Sequence, residues 1–262
     1  MLWASRQSWL PSRSLWSREL LRDWAISDPA AYHRWVWRHH AAFPEHHADL
    51  RFAPGAVDRL RLELFNDLTA SLRSHGIDPG SITSVLEVGS SFGYLLRYVE
   101  ESVFPGASVI EGVDIDHFAV EAGNAALQRR NSRVRLHHLD ATDLEAYLDG
   151  RTFDIVFCAG LIMYLNEVEA AQLVATMLRA ANVAMAITGV AHPLQDNATM
   201  VSHTFRDWDA AFVHNLDAMV VDAGGRILFR RWDGPREIDG LSVYHLVAVR
   251  DGPGEVAGHK PG

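Results

Sequence analysis

The hydrophobic rhythm of the chain changes near residue 82. Up to that point apolar residues recur at helical spacing, as Leu60, Leu64 and Leu68 do, and no stretch alternates as a half-buried strand should. Ser27-Asp28-Pro29 has the make-up of a helix start, and Gly76-Ile77-Asp78-Pro79-Gly80 punctuates the boundary. Beyond it, short apolar runs at residues 85–88, 108–113, 134–139, 153–158 and 183–188 predict strands, the second ending at Asp114. Helical segments lie between them. One follows the turn at Gly89 and carries Leu95, Leu96 and Val99; one is capped by Asp116, with Val120 and Ala125 on its apolar side; one covers residues 167–178. Such alternation predicts a parallel sheet with helices on both faces.

After residue 200 the pattern shifts again. Trp208, Phe212, Asn215 and Met219 share one helical face, and Gly224-Gly225 stops the run. Two strands follow, at residues 226–232 and 242–249, joined by a polar loop rich in Gly and Pro, which closes a hairpin and not a helical crossover. The expected organisation is a helical cap over residues 1–80, an α/β domain over 81–250, and a Gly/Pro-rich tail over 251–262 that is expected to be disordered.

Composition removes several classes of function. The net charge of −9 disfavours a nucleic-acid backbone as ligand. Lys260 is the sole lysine among 24 basic residues, so neither a Schiff-base lysine nor a P-loop lysine is in place. Cys158 is the one cysteine, which rules out an internal disulfide and a thiolate zinc site. No run of 18 apolar residues and no secretory h-region occur, so a reducing cytoplasm is the expected setting, with no membrane partner. The pairs His39-His40 and His46-His47 have no cysteine partner and sit among arginines. They read as cap surface, and no metal is expected. Six of the eight tryptophans fall in the first 37 residues, which reads first as packing of the cap and second as a wall for an aromatic substrate.

The most informative segment is Val85-Leu86-Glu87-Val88-Gly89-Ser90-Ser91-Phe92-Gly93, in which a strand delivers an acid and a Gly/Ser turn opens a helix. A dinucleotide fingerprint needs two further glycines, where this chain has Ser91 and Tyr94, and Glu87 would repel a pyrophosphate. The segment resembles motif I of class I S-adenosylmethionine (SAM) methyltransferases, [DE]-x-G-x-[GS]-x-G. Further matches follow in order over residues 80–250: Gly112-Val113-Asp114-Ile115-Asp116 resembles the end of the second strand, His138-Leu139-Asp140-Ala141 the loop after the third, and residues 153–160 the fourth strand. The resemblance implies a Rossmann-like seven-stranded, mostly parallel sheet with an antiparallel last strand. It also implies SAM as cofactor, with contacts from Glu87, Gly89, Ser90, Ser91, Gly93, Asp114, Ile115, Asp140, Ala141 and Cys158. Asp114 would hold the ribose hydroxyls, for which a carboxylate is suited, and Asp140 the adenine amine. Asp116, Asp143 and Asp154 are assigned to caps and turns.

Two departures from the family pattern matter. Its frequent Gly-Gly before strand five is Ala181-Asn182 here, where Asn is expected to adopt the left-handed conformation. Residues 158–164 contain neither an Asn-Pro-Pro-Tyr motif nor metal-binding acids, which disfavours DNA and metal-chelated catechols as substrates. The implied activity is methyl transfer to a small organic molecule such as a secondary metabolite, at oxygen in preference to nitrogen or carbon. The partner is thus a small-molecule substrate, and a homodimer is allowed. A nicotinamide-dependent oxidoreductase and a non-catalytic SAM-binding subunit remain the alternatives. By the resemblance, substrate sits over the ends of strands four and five beneath the cap. Tyr164, His192 and Trp208 are then candidate substrate contacts, and His203, ahead of His214, is the candidate general base.

Overall fold

The computed structural model describes residues 21–42, 51–53, 55–206, 210–234 and 243–250. Trp208, His46, His47 and the tail lie outside the described residues, as do the three tryptophans nearest the N-terminus.

Residues 21–27 are helical, and α1 (Pro29–Arg38) starts where the sequence predicts, with Asp28 accepting from Ala31 N at 3.1 Å and Pro29 in the first turn. α2 (Arg59–Ser74) is capped by Asp58 and buries Leu64, Phe65, Leu68 and Leu72. It lies on the sheet itself. Its Asp67 accepts from His245 Nδ1 at 3.0 Å and from Arg231 Nη2 at 2.7 Å, tying it to the last two strands.

The strand-turn-helix succession then unfolds as β1 (Ser84–Val88), α3 (Tyr94–Tyr98), β2 (Val109–Asp114), α4 (His117–Arg129), β3 (Arg135–His138), α5 (Leu144–Leu148), β4 (Phe153–Ala159), α6 (Glu167–Ala180) and β5 (Ala181–Val190). After α3 the helix widens by one residue per turn, and Phe104 N bonds back to Val99 O at 2.8 Å. α6 opens on a capping box formed by Asn166 and Glu169, a motif typically contributing about 1 kcal/mol. The short pair β6 (Thr204–Arg206) and β7 (Ala211–Val213) precedes α7 (Leu216–Asp222), β8 (Gly225–Trp232) and β9 (Val243–Arg250).

The main sheet has the order β3-β2-β1-β4-β5-β9-β8. β1 to β5 pair in parallel, and β9 runs antiparallel between β5 and β8, as the resemblance implies. Strand alternation divides the core into two layers. Leu86, Val88, Val156 and Cys158 face α5, α6 and α7, while Val85, Ile155 and Phe157 face α2, α3 and α4.

Four expectations need correction. Ala125 is exposed, and the buried face of α4 is Ala119, Val120, Gly123, Ala126 and Leu127. Asn182 is not left-handed: α6 passes directly into extended backbone at Ala181 (φ −86°), and a register shift between Phe153 and Ile155 absorbs the extra residue. The helix placed through Phe212 is a strand there. A helix begins at Leu216, because Asn215 uses its side chain to cap it, accepting from Ala218 N at 3.0 Å. His214 therefore sits between β7 and α7 and not on a helical face.

Candidate functional site

The strand order reverses between β1 and β4, and the carboxyl ends of these strands open into a crevice, the usual ligand position in open α/β sheets. A cavity of about 300 Å³ lies there. Its floor is the turn after β1, its sides are the ends of β2 and β4 and the loop after β3, and its roof is α1.

The turn is shaped by backbone conformation. Gly89 (φ +85°) and Gly93 (φ +74°) are left-handed, and a Cβ on Gly93 would lie 2.9 Å from Leu136 Cδ2. Ser91 is left-handed as well (φ +48°), which is strained for a residue with a side chain. Its amide is held by Asp114 Oδ2 at 2.7 Å, and Asp114 Oδ1 accepts from Asp116 N at 2.8 Å. Each Asp114 oxygen thus keeps one acceptor position for a further donor. Burial pushes the Asp114 carboxyl up to about 6, against the pull of those two amides.

Glu87, on β1, is 2% exposed, and its Oε2 is buried without a hydrogen-bond partner. Burial drives its carboxyl well above the ordinary range; the Arg61 guanidinium opposes this and Asp114 adds to it. Arg61 reaches in from α2, pairs with Asp58 and donates to Ala159 O at 3.4 Å. An unpartnered buried acid costs several kcal/mol in the absence of a compensating cation.

At the opposite end the cap meets the loop after β3. Asp140 Oδ2 accepts from Arg34 Nε at 3.2 Å and Arg38 Nη2 at 3.4 Å, and Arg34 Nη2 donates to Glu169 Oε1 at 2.8 Å. Burial alone would raise the Asp140 carboxyl, but the Thr142 amide and hydroxyl and the two arginines outweigh it and hold it below the ordinary range. Between these ends the wall is aromatic. The Tyr164 ring packs on His33 at 4.7 Å and on Trp37 at 4.8 Å, and Trp37 packs on His40 at 5.0 Å.

Residues 85–183 match the family model described as a methyltransferase domain. That segment carries a methyltransferase domain. The fold of the chain is similar to that of magnesium protoporphyrin IX methyltransferase from Synechocystis PCC 6803 with bound S-adenosylhomocysteine (SAH): 18% identity, TM-score 0.55, over 89% of this chain and 99% of that one. An O-methyltransferase family protein from Burkholderia thailandensis is similar at 15% identity and TM-score 0.57, over 84% of this chain and 64% of that one. A SAM-dependent methyltransferase from Clostridium acetobutylicum is similar at 9% identity and TM-score 0.56, over 78% of this chain and 98% of that one. No curated protein matches the chain.

The residues of the methyltransferase cavity fit SAM. A buried, unpartnered carboxylate suits an ammonium group, and a carboxylate with two open acceptor positions suits a vicinal diol. Glu87, Gly89, Ser90, Ser91, Asp114, Ile115, Asp140, Ala141 and Tyr164 all line the cavity. Gly93 instead packs beneath the turn against Leu136 and Leu127. Cys158 points away into the α6 face of the core, fully buried, and burial raises its thiol to about 11.

The candidate histidines lie elsewhere. His203 Nδ1 contacts Glu167 Oε2 at 3.0 Å outside the cavity wall, with the side chain about a third exposed. His214 is buried, donates from Nε2 to Leu165 O at 3.1 Å, and is pushed down to about 4 by burial. His192 accepts from Leu194 N and Gln195 N through Nδ1, both at 3.2 Å, and so shapes its own loop. The histidines of the wall are His33 and His40. Trp37 and His40, expected as packing and surface, face the cavity, whereas Trp24 and Trp35 pack on each other at 5.7 Å. Asp116 caps α4 as expected but also accepts from Ala41 N at 2.6 Å, mooring the cap. Among the described residues no cluster with the make-up of a metal site occurs, and no helix is long and apolar enough to cross a membrane.

Proposed function

We propose that this methyltransferase acts on a hydroxyl oxygen of a small organic acceptor. The supporting observation is the wall of His33, Trp37, His40 and Tyr164, which faces the end of β4 in the same cavity as Glu87 and Asp114. Such a wall favours a flat apolar or aromatic acceptor. SAM supplies an electrophilic methyl group on a cationic sulfonium. In this reading Glu87 holds the ammonium group, Asp114 the ribose hydroxyls and Asp140 the adenine amine. Leu161, Leu165 and the aromatic roof keep water away and align the acceptor, which is the protein's main task in an in-line transfer.

A hydroxyl acceptor must lose its proton, and in this reading the His33 imidazole takes it. Its Nε2 lies 2.6 Å from Ala210 O; a carbonyl only accepts, so Nε2 carries the hydrogen and Nδ1 carries the lone pair of the neutral ring. The ring is buried, 4% exposed, and held by Tyr32 and Tyr164. An O-methyltransferase family protein among the similar structures accords with oxygen as the acceptor atom. The test is SAH release on matched panels of hydroxylated and aminated aromatic compounds, with product mass. Turnover of hydroxyl acceptors is expected; turnover of amines alone would overturn the choice of oxygen.

A further inference from the structure

Asp140 has no acceptor position left for adenine. Its Oδ1 takes Thr142 N at 3.1 Å and Thr142 Oγ1 at 2.9 Å, and its Oδ2 takes Arg34 and Arg38 from the cap. A carboxylate offers about four acceptor positions, and all are filled. The Thr142 bonds are local to the turn and hold Oδ1 in place. The cap bonds on Oδ2 are of another kind, since they join segments 106 and 102 residues apart and break whenever α1 moves. Arg34 also has a second anchor, Glu169, whose other oxygen accepts from Asn166 N at 3.4 Å in the capping box of α6. Arg34 can therefore give up Asp140 and stay moored to α6.

We propose that Arg34 is a cofactor latch: together with Arg38 it fills the Asp140 oxygen that the adenine amine needs, so the cofactor seats only when this cap hold on Asp140 loosens. The inference rests on Asp140 being the adenine acid of the proposed function. Its consequence is kinetic. Only the fraction of molecules with the latch open admits the cofactor, and the apparent affinity is reduced by that fraction. Arg34 is thus a positioning residue acting through Asp140, and it couples closure of the aromatic roof to the adenine end of the cavity.

The test uses the full chain and SAH as probe, with binding followed by stopped-flow tryptophan fluorescence and by calorimetry. Arg34→Ala is expected to speed SAH association at least about threefold and to tighten binding. Salt should speed association in the wild type, because it screens the Arg34 pairs, and should act less on Arg34→Ala, which keeps only the Arg38 pair on Asp140. Arg34→Lys, which can reach one acid at a time, should fall between, and it carries the test if Arg34→Ala does not fold. Asp140→Asn should weaken SAH about tenfold. Association that is unchanged or slower in the Arg34 variants, with Asp140→Asn weakened, overturns the latch and leaves the cofactor assignment standing. Unchanged SAH affinity in Asp140→Asn overturns both.

Discussion

The Ser91 amide donates to Asp114 Oδ2 at 2.7 Å, so the turn after β1 and the acid ending β2 form one unit. Burial raises that carboxyl to about 6, whereas an unfolded Asp titrates near about 3.9. Between these values the folded protein holds a proton that the unfolded chain has lost. Stability from this group is therefore present at low pH and declines as pH rises through about 6. Cofactor binding has the opposite sign, because ribose hydroxyls donate to the ionised form. SAH affinity should rise between about pH 5 and 7.5, with an inflection near the Asp114 value. Glu87, also raised, acts in the same direction, since an ammonium needs it ionised. Asp114→Asn should remove the inflection near 6, leave only the rise that Glu87 contributes, and weaken SAH by about tenfold. Calorimetry across the pH series checks this, and a flat wild-type profile refutes it.

Glu87 is buried with one oxygen unpartnered, an arrangement that costs stability until a cation arrives. Glu87→Gln removes the charge but keeps the shape. The free protein should melt at the same temperature or higher, while the rise in melting temperature on adding SAH should shrink. For the wild type that rise follows mass action, and NAD(H) should produce none. A destabilised free Glu87→Gln protein with an undiminished SAH response would remove Glu87 from the site.

These outcomes bear on what could be read from residue order alone. β1, β2 and β4 were legible because each is an apolar run closed by a turn, and the acids at the carboxyl ends of the first two, Glu87 and Asp114, are then set by parallel register. Glu87 pairs with Gly112 and Phe157 in that register, so its burial follows from pairing. The cap was harder, because its contacts join residues a hundred positions apart. A signal was nevertheless present. Ala30, His33, Arg34 and Trp37 stand at i, i+3, i+4 and i+7 after the Asp28-Pro29 start, and all four line the cavity. Helical spacing shows that such residues share a face but not what the face meets, so it does not single out His33. In β7 the opposite failure occurred. Three apolar residues, Ala211, Phe212 and Val213, are too short a run to compete with the helical spacing around them.

Removing residues 1–42 should separate cofactor binding from catalysis. The deletion takes away His33, Trp37 and the Arg34 latch but none of the sheet, whose α2-side core is built from Leu64 onward. SAH association should become faster, as in Arg34→Ala, while turnover of any acceptor found by screening falls below detection. Stopped-flow binding and SAH-release assays on the same sample check both halves. A folded, fully active truncated protein would show that the roof plays no part in the reaction.

The last prediction sets His33 against His203. His203 pairs with Glu167 at the surface, and exposed pairs contribute about 0–1 kcal/mol, so His203→Ala should keep the fold and most of the activity. His33 lies in the wall, and losing a general base typically costs a factor of about 10²–10⁴. His33→Ala should lose turnover on that scale while SAH affinity changes little, since Glu87, Asp114 and Asp140 are untouched. Loss of activity alone does not separate a base from a packing residue, because His33 also anchors Ala210 and packs against the tilted Tyr164 ring. Two readouts do. Added imidazole should restore turnover to His33→Ala in proportion to its free-base concentration, which a packing defect would not respond to. His33→Gln, able to donate to Ala210 but unable to take a proton, should fold like the wild type and remain slow. If His33→Gln turns over at the wild-type rate, the ring is a wall and nothing more. Activity would then rest on alignment of an acceptor that is already a good nucleophile.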